Sequence, residues 1–212
     1  DGQKVMTMAR NISGDVLVCA VEREKQVFIP DGNFELHQGD VVSFIATSKA
    51  AKEFFERIGM PNKPVHNTMI IGGGKAAYYL GKMLIDMGIE VKIIEIDRKR
   101  CRELSELLPQ ATIINGDGTD EELLNEEEIA YVDSLVPLTG IDEENVLLAL
   151  HAREVSDAKV ITKVNRNAFH NLIDKLDIGS VIYPKYITAE AIVAYVRAKQ
   201  ASVDSSNVET IY

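Results

Sequence analysis

The sequence has no tryptophan and only two cysteines in 212 residues. Cys19 lies in an apolar run and Cys101 in a predicted helix, so the two form neither the paired spacing of a redox centre nor a cysteine set for zinc. We therefore expect two reduced thiols in a reducing compartment. The histidines add no H-x-x-x-H pair, and the sequence predicts no metal site.

Long hydrophobic runs and an excess of positive charge are also missing. The apolar runs, such as Val146–Leu150 and Ile187–Val196, are far shorter than the roughly 20 residues that a membrane-spanning helix needs. The stretch Asp1–Arg10 is polar and has no signal-peptide core. Asp and Glu number 33 against 23 Lys and Arg, which gives a net charge of −10. This charge argues against nucleic acid or an anionic membrane surface as the main partner.

What is present falls into two parts with different hydrophobic patterns. The first sixty or so residues predict short strands joined by turns, preceded by one short helix over Gln3–Arg10. The predicted strands are Val16–Val21, Gln26–Ile29 and Val41–Ala46. Ser48 is the expected N-cap of a helix over Lys49–Ile58. Together these elements predict a small α+β module.

The stretch Gly59–Asn67 contains two prolines and two asparagines and is expected to be a linker. After it, strands alternate with helices such as Ala76–Met87, which has Met87 on its predicted inner face, and Ala168–Leu176. The six predicted strands are Thr68–Ile71, Val91–Ile96, Thr112–Ile114, Ser134–Pro137, Lys159–Val164 and Ser180–Ile182. This alternation predicts right-handed crossovers and an α/β fold with a doubly wound parallel Rossmann-type sheet.

The strongest motif is a G-x-G-x-x-A between the first strand and helix of this second part. Gly72 permits a tight turn, and Gly74 lets the backbone approach a pyrophosphate without a Cβ in the way. The N–H groups of Lys75 and Ala76, at the positive end of the helix dipole, are expected to hold phosphate oxygens. Ala77 keeps the helix close to the strand.

Glu95 ends the second strand at about the spacing that a dinucleotide fingerprint requires. Its carboxylate can accept hydrogen bonds from both ribose hydroxyls and would repel a 2′-phosphate. Asp97, two residues on, is either a second ribose contact or a turn residue. The glycine motif and Glu95 together predict a site for a nucleotide.

Three further strand ends supply candidate contacts at the same edge of the sheet. Asp117, beside Gly118, can accept from an adenine amine, although an Asx-type turn and helix cap explains it equally well. Thr139 and Gly140 leave room beside the ribose and phosphates. Lys163 is a candidate counter-charge for a phosphate, with a surface lysine as the alternative.

Groups for catalysis are harder to find. A dehydrogenase usually needs a His, Lys or Tyr acid–base group beside the nicotinamide. None of the four histidines, His37, His66, His151 and His170, falls at the carboxyl end of a predicted strand. We therefore expect a ligand sensor and no catalytic residues. Two alternatives remain: a fragment of an NAD-dependent oxidoreductase, and a pure assembly module with a vestigial glycine loop.

With these residues assembled, the chain resembles the regulatory family of Trk-type potassium transport, whose nucleotide-binding domains are of the RCK type. The segments NTMIIGGGKAAYYLGKML, VKIIEIDRKRCRELSELLP and IINGDGTDEELL resemble the first half of that module. The segments LTGIDEENVLLALHAREV and KVITKVNRNAF continue it in order. Before it, the Gly39-Asp40 turn and its flanking strands resemble the smaller C-terminal module of the family.

The resemblance implies three parts of the chain: a small regulatory module over 1–62, truncated at its N-terminus; a nucleotide-binding domain over 66–186; and a crossover helix with the start of a further module over 187–212. It implies NAD(H) or ATP/ADP as the regulatory ligand. It also implies a cytoplasmic subunit at the inner face of the membrane, a Trk-type K⁺ channel or transporter as partner, and a homo-oligomer, either a dimer or a tetrameric ring. The last helix, predicted at Thr188–Gln200, would cross to a neighbour.

Overall fold

A computed structural model describes residues 2–10, 16–24, 26–59, 63–166, 170–173, 175–176 and 178–204. The chain divides into two compact units, Asp1–Pro64 and Val65–Tyr212. Among the helices that the structure describes, none is long and apolar enough to cross a membrane.

The first unit is built on a small antiparallel sheet. Its elements are β1 (Gln3–Lys4), α1 (Val5–Arg10), β2 (Val16–Arg23), β3 (Gln26–Phe28), β4 (Glu35–Leu36), β5 (Val41–Ala46) and α2 (Ser48–Arg57). Strands β3, β2 and β5 form the sheet in this order, and β1 pairs with β4. Helix α2 packs on the sheet through buried Phe54, whose ring centroid lies 5.3 Å from that of Phe44.

The first helix is shorter than the predicted Gln3–Arg10. It begins at Val5, because the two residues before it pair as a strand with Glu35–Leu36. A strand of two residues is too short for an alternating pattern to indicate it, so the sequence predicted neither β1 nor β4.

The N-cap of α2 is Thr47, and the prediction of Ser48 was wrong by one residue. Thr47 has an extended backbone, and its Oγ1 accepts a hydrogen bond from the Ala50 N–H at 3.2 Å. Two adjacent hydroxyl residues are equally good caps in a sequence, and only the backbone conformation distinguishes them.

Arg23 of β2 and Asp40, in the turn before β5, form an ion pair that joins two strands. The Nε and a terminal nitrogen of Arg23 donate to the two carboxylate oxygens of Asp40, each at 2.7 Å. The His37 N–H donates to the same carboxylate at 2.8 Å. These bonds favour the ionised carboxylate, and they hold the pKa of Asp40 far below its usual range.

Replacing Asp40 by Asn should lower the thermal stability of the first unit. Because the pKa of Asp40 is depressed in the folded state, its stabilisation is fully present above the unfolded pKa of about 3.9 and is lost as the pH falls below it. The difference in melting temperature between wild type and Asp40→Asn should therefore be large at pH 7 and shrink towards pH 2. The exposed Glu56→Gln on α2 is the matched control. A difference that does not change with pH would contradict this account.

The second unit alternates strands and helices. Its elements are β6 (Asn67–Ile71), α3 (Lys75–Asp86), β7 (Glu90–Glu95), α4 (Arg98–Leu107), β8 (Thr112–Asn115), α5 (Glu121–Glu126), a 3₁₀ turn (Ile129–Tyr131), β9 (Ser134–Pro137), α6 (Asp142–Val155), β10 (Lys159–Lys163), α7 (His170–Ile173), β11 (Ser180–Ile182) and α8 (Pro184–Asp204).

These strands form one parallel sheet in the order β8-β7-β6-β9-β10-β11. The order reverses between β6 and β9, so the chain winds away from β6 in both directions. This is the doubly wound Rossmann-type arrangement, and the predicted fold class is confirmed. The crevice at such a reversal lies outside the carboxyl ends of the strands, where this fold binds ligands.

The core of the second unit has two layers, one on each face of the sheet. Alternation along β6 sends Met69 and Ile71 into one layer and Ile70 into the other. The layer around Ile71 includes Leu148 of α6, and the layer around Ile70 includes Leu104 of α4. Both faces of the sheet are therefore covered, as is usual for a parallel sheet.

Some element boundaries differ from the prediction. Met87, expected on the inner face of α3, is 71% exposed and forms the C-cap of the helix. Gly81 is buried instead, and a Cβ there would lie 3.2 Å from Leu108 Cδ1, at the end of α4, and 3.6 Å from Ile93 Cδ1 of β7. Of the helix predicted at 168–176, the described part is His170–Ile173, followed by a turn; 168–169 and 174 lie outside the described residues, as does 208–212.

Candidate functional site

The loop between β6 and α3 is shaped by Gly72. Its N–H donates to the Ile94 carbonyl at 2.8 Å, and its φ of 96° lies in the left-handed region that favours glycine. A Cβ at Gly72 would lie 3.1 Å from the backbone of Leu138 and Thr139. The first glycine of the motif is therefore required by the close approach of β6 to the chain leaving β9.

The next two glycines have different surroundings. A Cβ on Gly73 would lie 2.6 Å from Leu104 Cδ1 and 2.9 Å from Glu95 Oε2, so a side chain there would have to displace the ends of these two side chains. Gly74 is the N-cap of α3 with an extended backbone, and a Cβ on it would meet nothing within 4 Å. Gly74 therefore leaves open space on the outer side of the loop, whereas Gly73 faces the interior. The sequence alone indicates no role for Gly73, because the residues that pack against it are distant in sequence.

Helix α3 begins without a side-chain cap. Tyr78 is the first residue whose N–H bonds back within the helix, to the Gly74 carbonyl at 3.1 Å. Lys75 and Ala76 are exposed in the first turn, whereas Ala77 is fully buried against the sheet. The first-turn N–H groups therefore point out of the helix at its positive end, an arrangement suited to an anion.

Glu95, at the end of β7, bends over the glycine loop. Its Oε2 accepts from the Gly73 N–H at 2.5 Å, and its Oε1 accepts from the Asp97 N–H at 2.7 Å. The side chain is half-buried. Each carboxylate oxygen keeps a further lone pair, so the group can still accept hydrogen bonds from ribose hydroxyls.

Asp97 is the N-cap of α4, and its Oδ1 accepts from the N–H groups of Lys99 and Arg100 at 2.7 and 2.9 Å. Arg100 reaches back to the glycine loop, where its Nε donates to the Gly73 carbonyl at 2.7 Å. The sequence analysis did not single out Arg100. The signal that could have found it is its place in the first turn of the helix after Glu95, next to the loop in any Rossmann-type fold.

The end of β8 forms a compact turn. Asp117 Oδ1 accepts from both the N–H and the hydroxyl of Thr119, at 2.9 and 2.7 Å, and these bonds lower the pKa of Asp117. Gly118 packs on Ile71, and a Cβ there would clash with the Ile71 side chain. Asp117 therefore forms the Asx-type turn, but it is not the helix cap that was the other half of that explanation, because the N-cap of α5 is Asp120.

Thr139, two residues after β9, and Lys163, the last residue of β10, are joined by Asn145. Asn145 is fully buried, and its Oδ1 accepts from both the N–H and the hydroxyl of Thr139 at 2.9 Å. Its Nδ2 donates to the Lys163 carbonyl at 3.0 Å. In the sequence Asn145 directly follows the acidic residues Asp142–Glu144, so it resembles part of a solvated helix start and nothing marks it as buried. Gly140 faces open space.

Lys163 points towards the loop after β9. Its Nζ donates to the Leu138 carbonyl at 3.1 Å, and burial lowers the pKa of its ammonium group. The predicted counter-charge therefore lies beside the backbone against which Gly72 packs. The loops after β6 and β9 and the end of β7 come together beside the Leu138 carbonyl. Gly72 packs against the Leu138–Thr139 backbone, and the Gly73 N–H is bound by Glu95.

Acid–base and metal-binding groups are placed differently. His37 lies in a turn, His66 precedes β6, His151 lies on α6 and His170 begins α7. In the part of the chain that the structure describes, no group of three His, Cys, Asp or Glu side chains could hold a metal ion. The polar groups gathered at the glycine loop are chiefly backbone N–H groups, the Glu95 carboxylate, the Arg100 guanidinium and the Lys163 ammonium.

The two adjacent glycines provide a matched pair of variants. Gly73→Ala places a methyl group against Leu104 and Glu95 and should lower the free energy of unfolding by about 1–3 kcal/mol. Gly74→Ala enters open space with a permitted backbone and should change it by less than about 1 kcal/mol. Urea denaturation of both variants measures the difference. Equal effects would show that the loop does not have the described packing.

Comparison with known proteins is consistent over most of the chain. The TrkA-N domain model matches residues 68–184, and the TrkA-C domain model matches residues 1–59. Two curated relatives are each called Trk system potassium uptake protein TrkA. The one from Haemophilus influenzae is 32% identical over 93% of this chain, and the one from Vibrio alginolyticus is 33% identical over 86%. The chain spans 42% and 40% of their lengths.

Solved structures show the same fold at lower identity. The TrkA-N domain of the inner membrane protein ybaL from Escherichia coli superposes with a TM-score of 0.56 at 18% identity, over 63% of this chain and 98% of that one. A structure described as the GsuK channel bound to NAD superposes with a TM-score of 0.64 at 16% identity, over 95% of this chain and 36% of that one. At these identities the likeness concerns the fold.

Proposed function

This chain belongs to the TrkA-N domain family, and we propose that it is a nucleotide-sensing part of the regulatory subunit of a Trk-type potassium uptake system. The resemblance inferred from the sequence is confirmed by the matches to both the TrkA-N and the TrkA-C domain models. The names of the curated relatives support the link to potassium uptake. The observation that carries the proposal is the Gly72–Gly74 loop, which lies under the Glu95 carboxylate at the carboxyl edge of the sheet.

The proposed ligand is NAD(H), with ATP or ADP as the alternative, and the site fits both through their shared adenosine and phosphates. The N–H groups of Gly74 and of the first turn of α3 would hold the phosphates. Glu95 would accept from the ribose hydroxyls, and Asp117 with Gly118 would lie near the adenine. Thr139 and Gly140 would border the ribose and phosphates. The NAD named in the GsuK structure supports a dinucleotide.

We infer a sensing role because the charged side chains beside the loop are held in place by hydrogen bonds to its backbone and to the backbone next to it. Asp97 and Asp117 are each occupied by local backbone donors. The Lys163 ammonium is held by a carbonyl. An oxidoreductase would also need a substrate site above the nicotinamide. Turnover of a nicotinamide cofactor by the full chain would favour that alternative instead.

Regulation would follow from unequal affinities. A ligand shifts an equilibrium only if it binds one arrangement of the protein more tightly than the other. In the proposed system the bound nucleotide would favour one arrangement of a homo-oligomer, a dimer or a tetrameric ring, at the inner face of the membrane. That arrangement would then change K⁺ conduction in a Trk-type membrane partner.

The same proposal assigns the parts of the chain. Residues 1–62 would be the small regulatory module and 66–186 the nucleotide-binding domain, which the division into compact units near Pro64 supports. Residues 187–212 would be a crossover segment leading into a further module. The exposed apolar side chains of α8, such as Ile192 and Tyr195, support its contact with a neighbouring subunit.

Glu95→Ala should weaken binding of NADH and of ATP by about 10- to 100-fold, because hydrogen bonds to a charged acceptor contribute about 1.5–3 kcal/mol. Calorimetric titration of the full chain with NAD⁺, NADH, ATP and ADP measures the effect and identifies the preferred ligand. Glu106→Ala, an exposed carboxylate on α4, is the control for the loss of charge. Binding as tight in Glu95→Ala as in the wild type would rule out the proposed site.

A further inference from the structure

We propose that Arg100 is a positioning residue, which presents the glycine loop to the phosphates of the ligand without being required to contact them. The inference rests on the proposed nucleotide site and adds to it a residue of α4 outside the glycine motif. It follows from the hydrogen bonds of one residue, Gly73, whose N–H and carbonyl groups are both bound by charged side chains.

The two bonds come from opposite ends of the β7–α4 connection. The Gly73 N–H donates to Glu95 Oε2 at 2.5 Å, and the Gly73 carbonyl accepts from Arg100 Nε at 2.7 Å. Both are charge-assisted and hence stronger than hydrogen bonds between neutral groups. Gly73 is therefore fixed from two sides, although it has no side chain of its own to restrict it.

The orientation of the next peptide group follows from planar geometry. The Gly73 carbonyl and the Gly74 N–H belong to one peptide unit, and the described backbone contains no cis peptide bond. In a trans unit these two groups point in opposite directions. Because Arg100 holds the carbonyl on the side of α4, the Gly74 N–H is directed away from α4. Gly74 is exposed, and a Cβ on it would meet nothing within 4 Å, so a phosphate can approach this peptide from outside the loop.

Arg100 is itself held in place. Its side chain is 27% exposed, and a terminal nitrogen donates to Glu103 Oε2 at 3.0 Å, one turn further along α4. Its own N–H donates to Asp97, the cap of the same helix. Arg100 is therefore fixed both at its backbone and at its guanidinium group. The planar guanidinium makes two directed hydrogen bonds, which the ammonium group of a flexible lysine side chain reproduces poorly.

Preorganisation of this kind lowers the ordering cost of binding. Without Arg100 the Gly73–Gly74 peptide can rotate, since glycine tolerates either sign of φ. A ligand with phosphates must then order the loop when it binds. A ligand without phosphates does not use the loop and avoids that cost. Arg100 should consequently affect the affinity for ADP and NADH and leave the affinity for adenosine unchanged.

The test compares Arg100→Gln and Arg100→Lys with Arg102→Gln in the full chain. Arg102 is an exposed residue of the same helix, so its replacement changes the net charge equally. We expect Arg100→Gln to bind ADP and NADH about tenfold more weakly, with adenosine unchanged in NMR shift titrations. Arg100→Lys should recover part of the loss, and Arg102→Gln should behave as wild type.

A second measurement needs no ligand. Amide hydrogen exchange at Gly73, whose N–H is bonded to Glu95, should be about tenfold faster in ligand-free Arg100→Gln than in wild type or Arg102→Gln. Unchanged exchange at Gly73, or an equal loss of affinity for adenosine and ADP, would overturn the positioning role. A wild-type chain that binds no adenine nucleotide would contradict the proposed function instead, and the exchange rates would still decide whether Arg100 orders the loop.

Discussion

The second unit depends on the close approach of two backbones where the strand order reverses. β6 lies between β7 and β9, and the chain leaving β6 passes so near to the chain leaving β9 that Gly72 has no room for a Cβ. The reversal opens a crevice at the carboxyl edge, and the absent side chain keeps the glycine loop within it. Glu95, Thr139 and Lys163 then reach this point from three other strand ends.

Most side chains at this edge are already hydrogen-bonded within the protein. Asp97 caps α4, Asp117 closes its own turn, and Thr139 is bound by Asn145. These hydrogen bonds fix the side chains at the edge of the crevice, and a binding site depends on groups that are fixed in this way. The donors left for a ligand are chiefly backbone N–H groups. Their direction is set by packing and by the charged groups around Gly73.

Local patterns predicted the longer strands well, either as buried apolar runs such as Ser134–Pro137 or as alternating ones such as Val41–Ala46. These two strands have the predicted bounds, whereas the strand predicted at Val91–Ile96 is Glu90–Glu95. The fold class followed from the alternation of elements. The roles of Gly73, Arg100 and Asn145 could not be predicted, because each depends on neighbours from other elements. The contacts assigned to the other site residues remain predictions.

The three consecutive glycines are retained for three different reasons. Gly72 is required by its backbone, Gly73 by its packing, and Gly74 by no contact within the chain itself. A copy of this domain that did not bind the proposed nucleotide would still be stabilised by glycine at the first two positions. Gly74 alone could change without a cost in stability. Among descendants of such a sequence, a side chain at that one position would mark the loss of the proposed ligand while the fold persists.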